Sequence, residues 1–240
     1  MKIEVLFPEV TNLYGDMSNV DYLRHCVPDA HVIGTTLKSE PAFVNEKVDL
    51  IYMGSMKERA QEMARDNLSV YKDRIRELID GGQAFLITGN ALEVFIDRIE
   101  ETDLKGRETV KPMLGLFPLY CKRNMANRYN SLYWGKFEEM DVFGFRSQFG
   151  MCYGGEETPG LFETVRGEGR GPGQKAEGIK AGNFMATSVL GPLLVLNPPF
   201  TKYLLRLLGQ PDKLAYEEKA FETYELRKKE FTEPGRGFDY

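Results

Sequence analysis

The sequence predicts an α/β fold, an open and mostly parallel sheet with helices on both faces. Three observations predict it. Short apolar runs alternate with helix-like stretches through the first part of the chain. The charged, helix-like segment 57–79 lies between two such runs, as a crossover connection does. The run Ala84-Phe85-Leu86-Ile87 passes through Thr88-Gly89-Asn90 into the helix-like Ala91-Leu92-Glu93-Val94-Phe95. Strand, glycine turn and helix in that order is the geometry that lifts one side chain above a sheet as a nucleophile, and the lifted residue here is Thr88.

Each element has its own signal. Residues 2–7 read as a first strand, and the loop Thr11-Asn12-Leu13-Tyr14-Gly15-Asp16 follows. Ser18 is placed to cap a helix through Val20, Leu23 and Arg24. Residues 31–33 form a second strand and residues 48–53 a third, stopped by Gly54. In segment 57–79, Met63, Val70, Ile75, Leu78 and Ile79 fall on one broad helical face. Gly81-Gly82 ends that helix, and residues 84–87 are the fourth strand. The order is β-α-β-β-α-β-α.

The second half is richer in strands, expected at 115–120, 131–134, 141–145, 162–165 and 184–188. Asn197-Pro198-Pro199 opens a helix through Tyr203, Leu204, Leu207 and Leu208. A charged helix near 214–230 precedes a tail containing Pro and Gly. Segment 167–173 holds four glycines and one proline. It lacks the Gly-Lys-Ser/Thr ending of a phosphate loop and reads as a mobile surface loop.

Composition narrows the chemistry. The 240 residues are 42% hydrophobic and 28% charged, with a formal net charge of −5. This is a globular composition without basic blocks, which argues against general nucleic-acid or anionic-membrane binding. Neither a signal-like segment nor an apolar run of membrane-spanning length is seen, so a reducing cytoplasm is expected. The three cysteines, Cys26, Cys121 and Cys152, are odd in number and widely spaced, suggesting neither a disulfide framework nor a zinc pattern. No cofactor or metal is expected. Both histidines, His25 and His31, lie near the start, so the remaining chain has none.

Other candidates read more plainly. His25-Cys26 is adjacent on a helix, where neighbouring side chains point about 100° apart, and it reads as a structural pair. Cys121 and Cys152 read as buried small residues. Asp16 suits either a ligand amine or an Asx-type turn after Gly15. Glu93 reads as solvent-facing or as a helix-dipole residue, and Asp97, Arg98, Glu100 and Glu101 as a solvated charged stretch.

Several segments, taken in order, resemble the class I glutamine amidotransferases of the cobyric-acid-synthase type, and most nearly the amidotransferase subunits of lipid II isoglutaminyl synthases. They are Asn12-Leu13-Tyr14-Gly15-Asp16 with Asn19, Asp49-Leu50-Ile51-Tyr52-Met53-Gly54-Ser55, and the turn around Thr88. Lys122-Arg123-Asn124-Met125-Ala126-Asn127, Gly144-Phe145-Arg146-Ser147-Gln148, and Gly191-Pro192-Leu193-Leu194 with Asn197-Pro198 continue the series. The resemblance spans about residues 1–208, leaving 209–240 as a helical extension packed on that domain or on a partner. It implies a flavodoxin-like sheet, a pocket that takes glutamine or a related small molecule, and a Mur-ligase-like or synthetase partner.

The resemblance also implies positions. Thr88 falls where the family has its nucleophilic cysteine and Leu190 where it has its histidine. Gln148 and Arg146 fall on the histidine and glutamate of a Gly-Phe-Glu-Asn-His segment. Gly54 and Ser55 belong to the oxyanion loop, Gly89 follows the nucleophile position, and Arg123 is placed to bind a carboxylate. The family chemistry runs through a thioester, with cysteine attacking and histidine moving protons. Losing one member of such a unit costs about 10⁴ to 10⁶ in rate. The expectation is therefore a chain that keeps the fold and has lost glutamine hydrolysis. The alternative is an active amidotransferase using unconventional residues.

Overall fold

The computed structural model describes residues 1–233 and 235. The chain begins with β1 (Lys2–Leu6), α1 (Ser18–Cys26), β2 (His31–Thr35) and β3 (Leu50–Met53). Two helices follow, α2 (Glu58–Ser69) and α3 (Lys72–Asp80), before β4 (Ala84–Thr88). The single helix expected over 57–79 is thus broken at Val70 and Tyr71. Met63 and Val70, placed on its buried face from the sequence, are exposed. Burial is carried by Ile75, as expected, and by Ala60, Ala64 and Leu68 in place of Met63 and Val70.

The chain leaves β4 in a short 3₁₀ helix, Gly89–Val94, and enters β5 (Ile96–Thr102) at once. The charged stretch at 97–101 is therefore a strand, with Asp97 exposed and Arg98, Glu100 and Glu101 half-buried. Then come β6 (Glu108–Pro112), β7 (Phe117–Asn124), β8 (Tyr129–Phe137), β9 (Met140–Gln148), β10 (Gly150–Gly154) and β11 (Phe162–Arg166). Three short strands close the series: β12 (Ala176–Glu177), β13 (Ile179–Ala181) and β14 (Phe184–Thr187). The helices α4 (Leu193–Leu196), α5 (Pro198–Leu207) and α6 (Glu217–Thr232) end the described chain. The Pro/Gly tail falls largely outside the described residues.

The main sheet has six strands in the order β13-β14-β4-β3-β1-β2. Every neighbouring pair is parallel except β13 with β14. The central strands β3 and β4 are buried along their whole length, as a strand covered on both faces must be. Alternation of side chains then sorts two cores. Ile51, Met53, Phe85 and Ile87 face α2 and α3. Leu50, Tyr52, Ala84 and Leu86 face α1 and α5.

The other eight strands form two four-stranded sheets, β10-β7-β5-β6 and β12-β11-β8-β9. Of their six pairings only β5 with β7 is parallel. Helix α6 packs on β9, with the Tyr224 ring tilted against Phe143 at 5.5 Å and the Phe231 ring edge-to-face with it at 5.2 Å. The Tyr224 hydroxyl donates to the Asp141 carbonyl at 2.9 Å, and Lys228 pairs with the Asp141 carboxylate at 2.7 Å. Segment 167–173 is not a free surface loop. Gly169, Arg170 and Gly171 are buried, and a Cβ on Gly171 would lie 2.6 Å from the Cys152 carbonyl oxygen. Its glycines allow that close approach. Among the described residues no helix is long and apolar enough to cross a membrane.

Candidate functional site

Parallel strands end on one edge, so the loops after β3, β4 and β14 meet there. Such an edge is where open α/β sheets place their ligands. The loop from β1 into α1 brings Asp16 to the same place, and β7 and β9 deliver Arg123 and Gln148. Between them lies a cavity of about 270 Å³. Ser55, Gly89, Arg123, Gln148 and Leu190 all line it. Gly54 and Thr88 do not.

The turn after β4 differs from the expected one. Thr88 ends its strand with ordinary extended backbone (φ −121°, ψ 152°), and Gly89 is the left-handed residue, with φ +62°. A nucleophile is raised by a strained turn residue, and here that conformation belongs to a glycine. Thr88 is fully buried. Its hydroxyl donates to Asp16 Oδ2 at 2.6 Å and lies 3.0 Å from the Tyr52 hydroxyl. The turn does not lift Thr88 above the sheet. A Cβ built on Gly89 would stand 2.5 Å from Ser55 Cβ and 3.0 Å from Leu190 Cδ2. The apex of the turn therefore points between the β3 loop and Leu190, with no room for a side chain.

Asp16 organises the layer beneath. Its Oδ2 accepts from the Ser55 backbone N–H at 2.8 Å as well as from Thr88, and its Oδ1 accepts from Asn19 Nδ2 at 2.9 Å. Burial pushes its pKa up, opposed by the hydrogen bonds from Thr88 and Ser55. The Tyr52 hydroxyl donates to the Asp16 carbonyl at 2.8 Å, and burial, then the nearby Asp16 charge, holds its pKa well above the phenol range. Asp16 is thus a buried structural acceptor.

The β3 loop is held from both sides. Met56 N–H donates to Asn90 Oδ1 at 2.9 Å, and Asn90 Nδ2 donates to the Met56 carbonyl at 2.7 Å. An oxyanion hole needs backbone N–H groups aimed at an empty position. Here the Ser55 and Met56 N–H groups already have acceptors within the chain.

Arg123 binds carboxylates, but they are its own. The guanidinium pairs with Glu93, and with Glu101 at 2.9 Å, and it also donates to Gln61 Oε1. Gln61 Nε2 returns to Glu93 at 2.9 Å. Glu101 is bridged onward to Lys111 at 2.8 Å; burial acts against ionising it, yet the hydrogen bonds and charges of Lys111 and Arg123 hold its pKa below the usual range. Glu93, expected to be solvent-facing or a helix-dipole residue, is buried in this network. The reason lies in β5, an unrecognised strand that sets Glu101 opposite Arg123 in register.

At the cavity's outer side, Arg128 donates to the Tyr14 hydroxyl at 2.7 Å and lies 4.4 Å over the Phe149 ring. Arg128 was not singled out in the sequence; its place five residues after Arg123 on a basic segment was the available signal. Gln148 donates to the Gly150 carbonyl and to Met151 Sδ. Leu190 is fixed by a two-way backbone bridge with Phe145. The His25-Cys26 pair lies elsewhere: His25 meets the Tyr216 ring edge at 6.3 Å, and Cys26 Sγ accepts from Ala215 N–H at 3.3 Å. Among the described residues no cluster of three or more His, Cys, Asp or Glu is arranged to hold a metal ion.

This fold and this edge have known counterparts. No family model matches the chain. It is 25% identical over 217 residues to "lipid II isoglutaminyl synthase (glutamine-hydrolyzing) subunit GatD" of Staphylococcus aureus, covering 87% of this chain and 84% of that protein. It is 23% identical over 228 residues to the same subunit of Streptococcus pneumoniae, covering 91% and 86%. A crystal structure of a glutamine amidotransferase superimposes with a TM-score of 0.56 at 13% identity, over 86% of this chain and 98% of that one. A glutamine amidotransferase from Thermotoga maritima gives 0.52 at 12% identity, over 95% and 94%. The chain has the fold of a class I glutamine amidotransferase. Within that amidotransferase-like sheet, the cavity at the β3, β4 and β14 ends holds neither a thiol nor an imidazole among its lining residues.

Proposed function

We propose that this amidotransferase-like chain does not hydrolyse glutamine and serves as a binding or regulatory subunit. One observation carries the reading: the left-handed turn residue, where a nucleophile would stand, is Gly89, which has no side chain to react. Leu190 beside it cannot carry a proton, and the chain has no histidine beyond His31. The occupied N–H groups of Ser55 and Met56 point the same way. On this reading Thr88, Leu190, Gly54, Ser55, Gly89, Gln148 and Arg123 are positions of an inherited site, with Arg123 now a structural ion-pair partner.

Both curated relatives are named as subunits of a lipid II isoglutaminyl synthase. By analogy, the partner of this chain is a synthetase subunit of the Mur-ligase-like kind, acting in cytoplasmic cell-wall precursor chemistry. Residues 1–208 form the amidotransferase-like unit on this reading, and 209–240 the helical extension. A glutamine-derived diazoketone, which alkylates an attacking nucleophile, tests the central point. Intact-mass analysis will show no adduct; an adduct mapped to any residue of the cavity overturns the reading.

A second reading has one observation in its favour. The 2.6 Å contact of Thr88 with Asp16 pairs a hydroxyl with a carboxylate base. On that reading the chain is an active amidotransferase with unconventional residues. Loss of glutamine turnover in Thr88→Val would support it.

A further inference from the structure

Two of the three cysteines meet across a strand pair. β10 runs antiparallel to β7 in a register that sets Cys152 directly opposite Cys121. The Cys152 N–H donates away from β7, to the Arg170 carbonyl at 2.7 Å, while the Asn124 N–H donates across the pair to the Phe149 carbonyl at 3.0 Å. Ladder bonds alternate along an antiparallel pair, so Cys121 and Cys152 face each other at a non-hydrogen-bonded position. The Cα atoms of such a position stand about 4.5 Å apart, inside the roughly 4.4–6.8 Å span that a disulfide bridges. The two side chains share one face of the sheet, and both thiols are free and buried in the same core.

The pair adjoins the first cavity. Cys121 Sγ donates to Glu93 Oε1 at 3.4 Å. Glu93 and its ion-pair partner Arg123 both line that cavity. A Cβ on Gly150 would collide with Cys121 Sγ, so the glycine leaves the sulfur its place beside the carboxylate. The neighbouring Cys152 thiol, then burial and the Glu93 charge, push the Cys121 thiol well above its usual range. Cys121 is therefore not the sulfur that an oxidant meets first. Cys152 is, at 5% exposure against 0%.

We propose that Cys121 and Cys152 are a reversible modification site, closed to a disulfide by hydrogen peroxide. The Cys152 sulfur attacks the peroxide, the O–O bond breaks, and sulfenic acid and one water form. Cys121 then passes its proton to Glu93 and attacks the Cys152 sulfur. The S–O bond breaks, and the departing hydroxide takes that proton back from Glu93 as a second water. The two thiols lose two electrons in all, and one peroxide is reduced to two waters. The disulfide leaves Glu93 without its Cys121 donor, and the change reaches the cavity wall through Glu93 and Arg123. Where thiols are otherwise kept reduced, such a bond is transient and reports oxidation. The proposal stands whether or not the first cavity hydrolyses glutamine.

The test uses the full wild-type chain, reduced and then treated with hydrogen peroxide, denatured, and alkylated with N-ethylmaleimide. The reduced chain has three thiols to label. The oxidised chain is expected to keep only the label on Cys26, with the Cys121 and Cys152 peptides joined in a non-reducing digest. A reducing thiol should restore the other labels. Full labelling after peroxide, a bridge through Cys26, or sulfinic acid without a bridge overturns the proposal. The link to the cavity has its own readout. Amide exchange over residues 88–95 is expected to differ about threefold or more between the reduced and bridged chains. A bridge that leaves this exchange unchanged, or the same change in a folded Cys152→Ser treated with peroxide, overturns that link.

Discussion

The Thr88 hydroxyl donates to the Asp16 carboxylate at 2.6 Å, and both side chains are buried beneath the cavity floor. The pair is a structural tie between β4 and the loop that follows β1. Removing the donor leaves a buried carboxylate short of a partner. Thr88→Val is expected to destabilise the chain by about 1–3 kcal/mol, measured by urea unfolding. Thr88→Ser, which keeps the hydroxyl, should recover much of the loss.

Gly89 is constrained twice. Its φ of +62° disfavours a side chain, and a Cβ would come within 2.5 Å of Ser55 Cβ. Gly89→Ala is expected to cost about 1–3 kcal/mol. Adding Ser55→Gly removes the tightest of these contacts, leaving Leu190 Cδ2 at 3.0 Å, so the double variant should be more stable than the sum of the two single changes predicts. A double-mutant cycle in denaturant reads that coupling.

Arg123 neutralises two acids in a nearly dry setting. Arg123→Met strands Glu93 and Glu101 without their cation, and a loss of about 3–5 kcal/mol is expected. Adding Glu93→Gln should return part of it. A thermal melt of the three variants checks the order: wild type, then double, then single.

Asp16 gives a pH signature. Burial raises its pKa in the folded chain above its ordinary 3.8, so the folded state holds the proton over a range in which the unfolded state has lost it. Its contribution to stability is therefore full below about pH 3.8 and falls as pH rises through the folded value. Asp16→Asn lacks that loss. The variant's stability relative to wild type should rise between acid and neutral pH, as measured by denaturant unfolding across the range. A flat difference would contradict the raised value.

How much of this was legible in the sequence depended on locality. β3 and β4 announced themselves as short apolar runs ending in glycine, and their parallel pairing followed from the helical stretch between them. β5 did not: Ile96, Asp97, Arg98, Ile99, Glu100 and Glu101 look like a solvated run until Arg123 and Lys111 are seen to neutralise Glu101. That partner lies on another strand, beyond the reach of any local pattern. The turn shows the same limit. The letters Thr88-Gly89-Asn90 mark a strand-to-helix turn correctly, while which of them turns left-handed depends on Asp16 and Tyr52 holding Thr88 in the strand. Arg146 read only as a departure from a glutamate, because the Glu168 and Gly169 carbonyls that hold it lie on a segment that only the fold brings over it.

On the proposed reading, the turn after β4 offers no nucleophile. The decisive assay is glutamate release from glutamine by the purified chain, alone and with the proposed Mur-ligase-like partner. Release at the buffer rate is expected, identical in wild type and a folded Thr88→Val. Turnover above buffer that disappears in Thr88→Val, with its fold intact by circular dichroism, would contradict it.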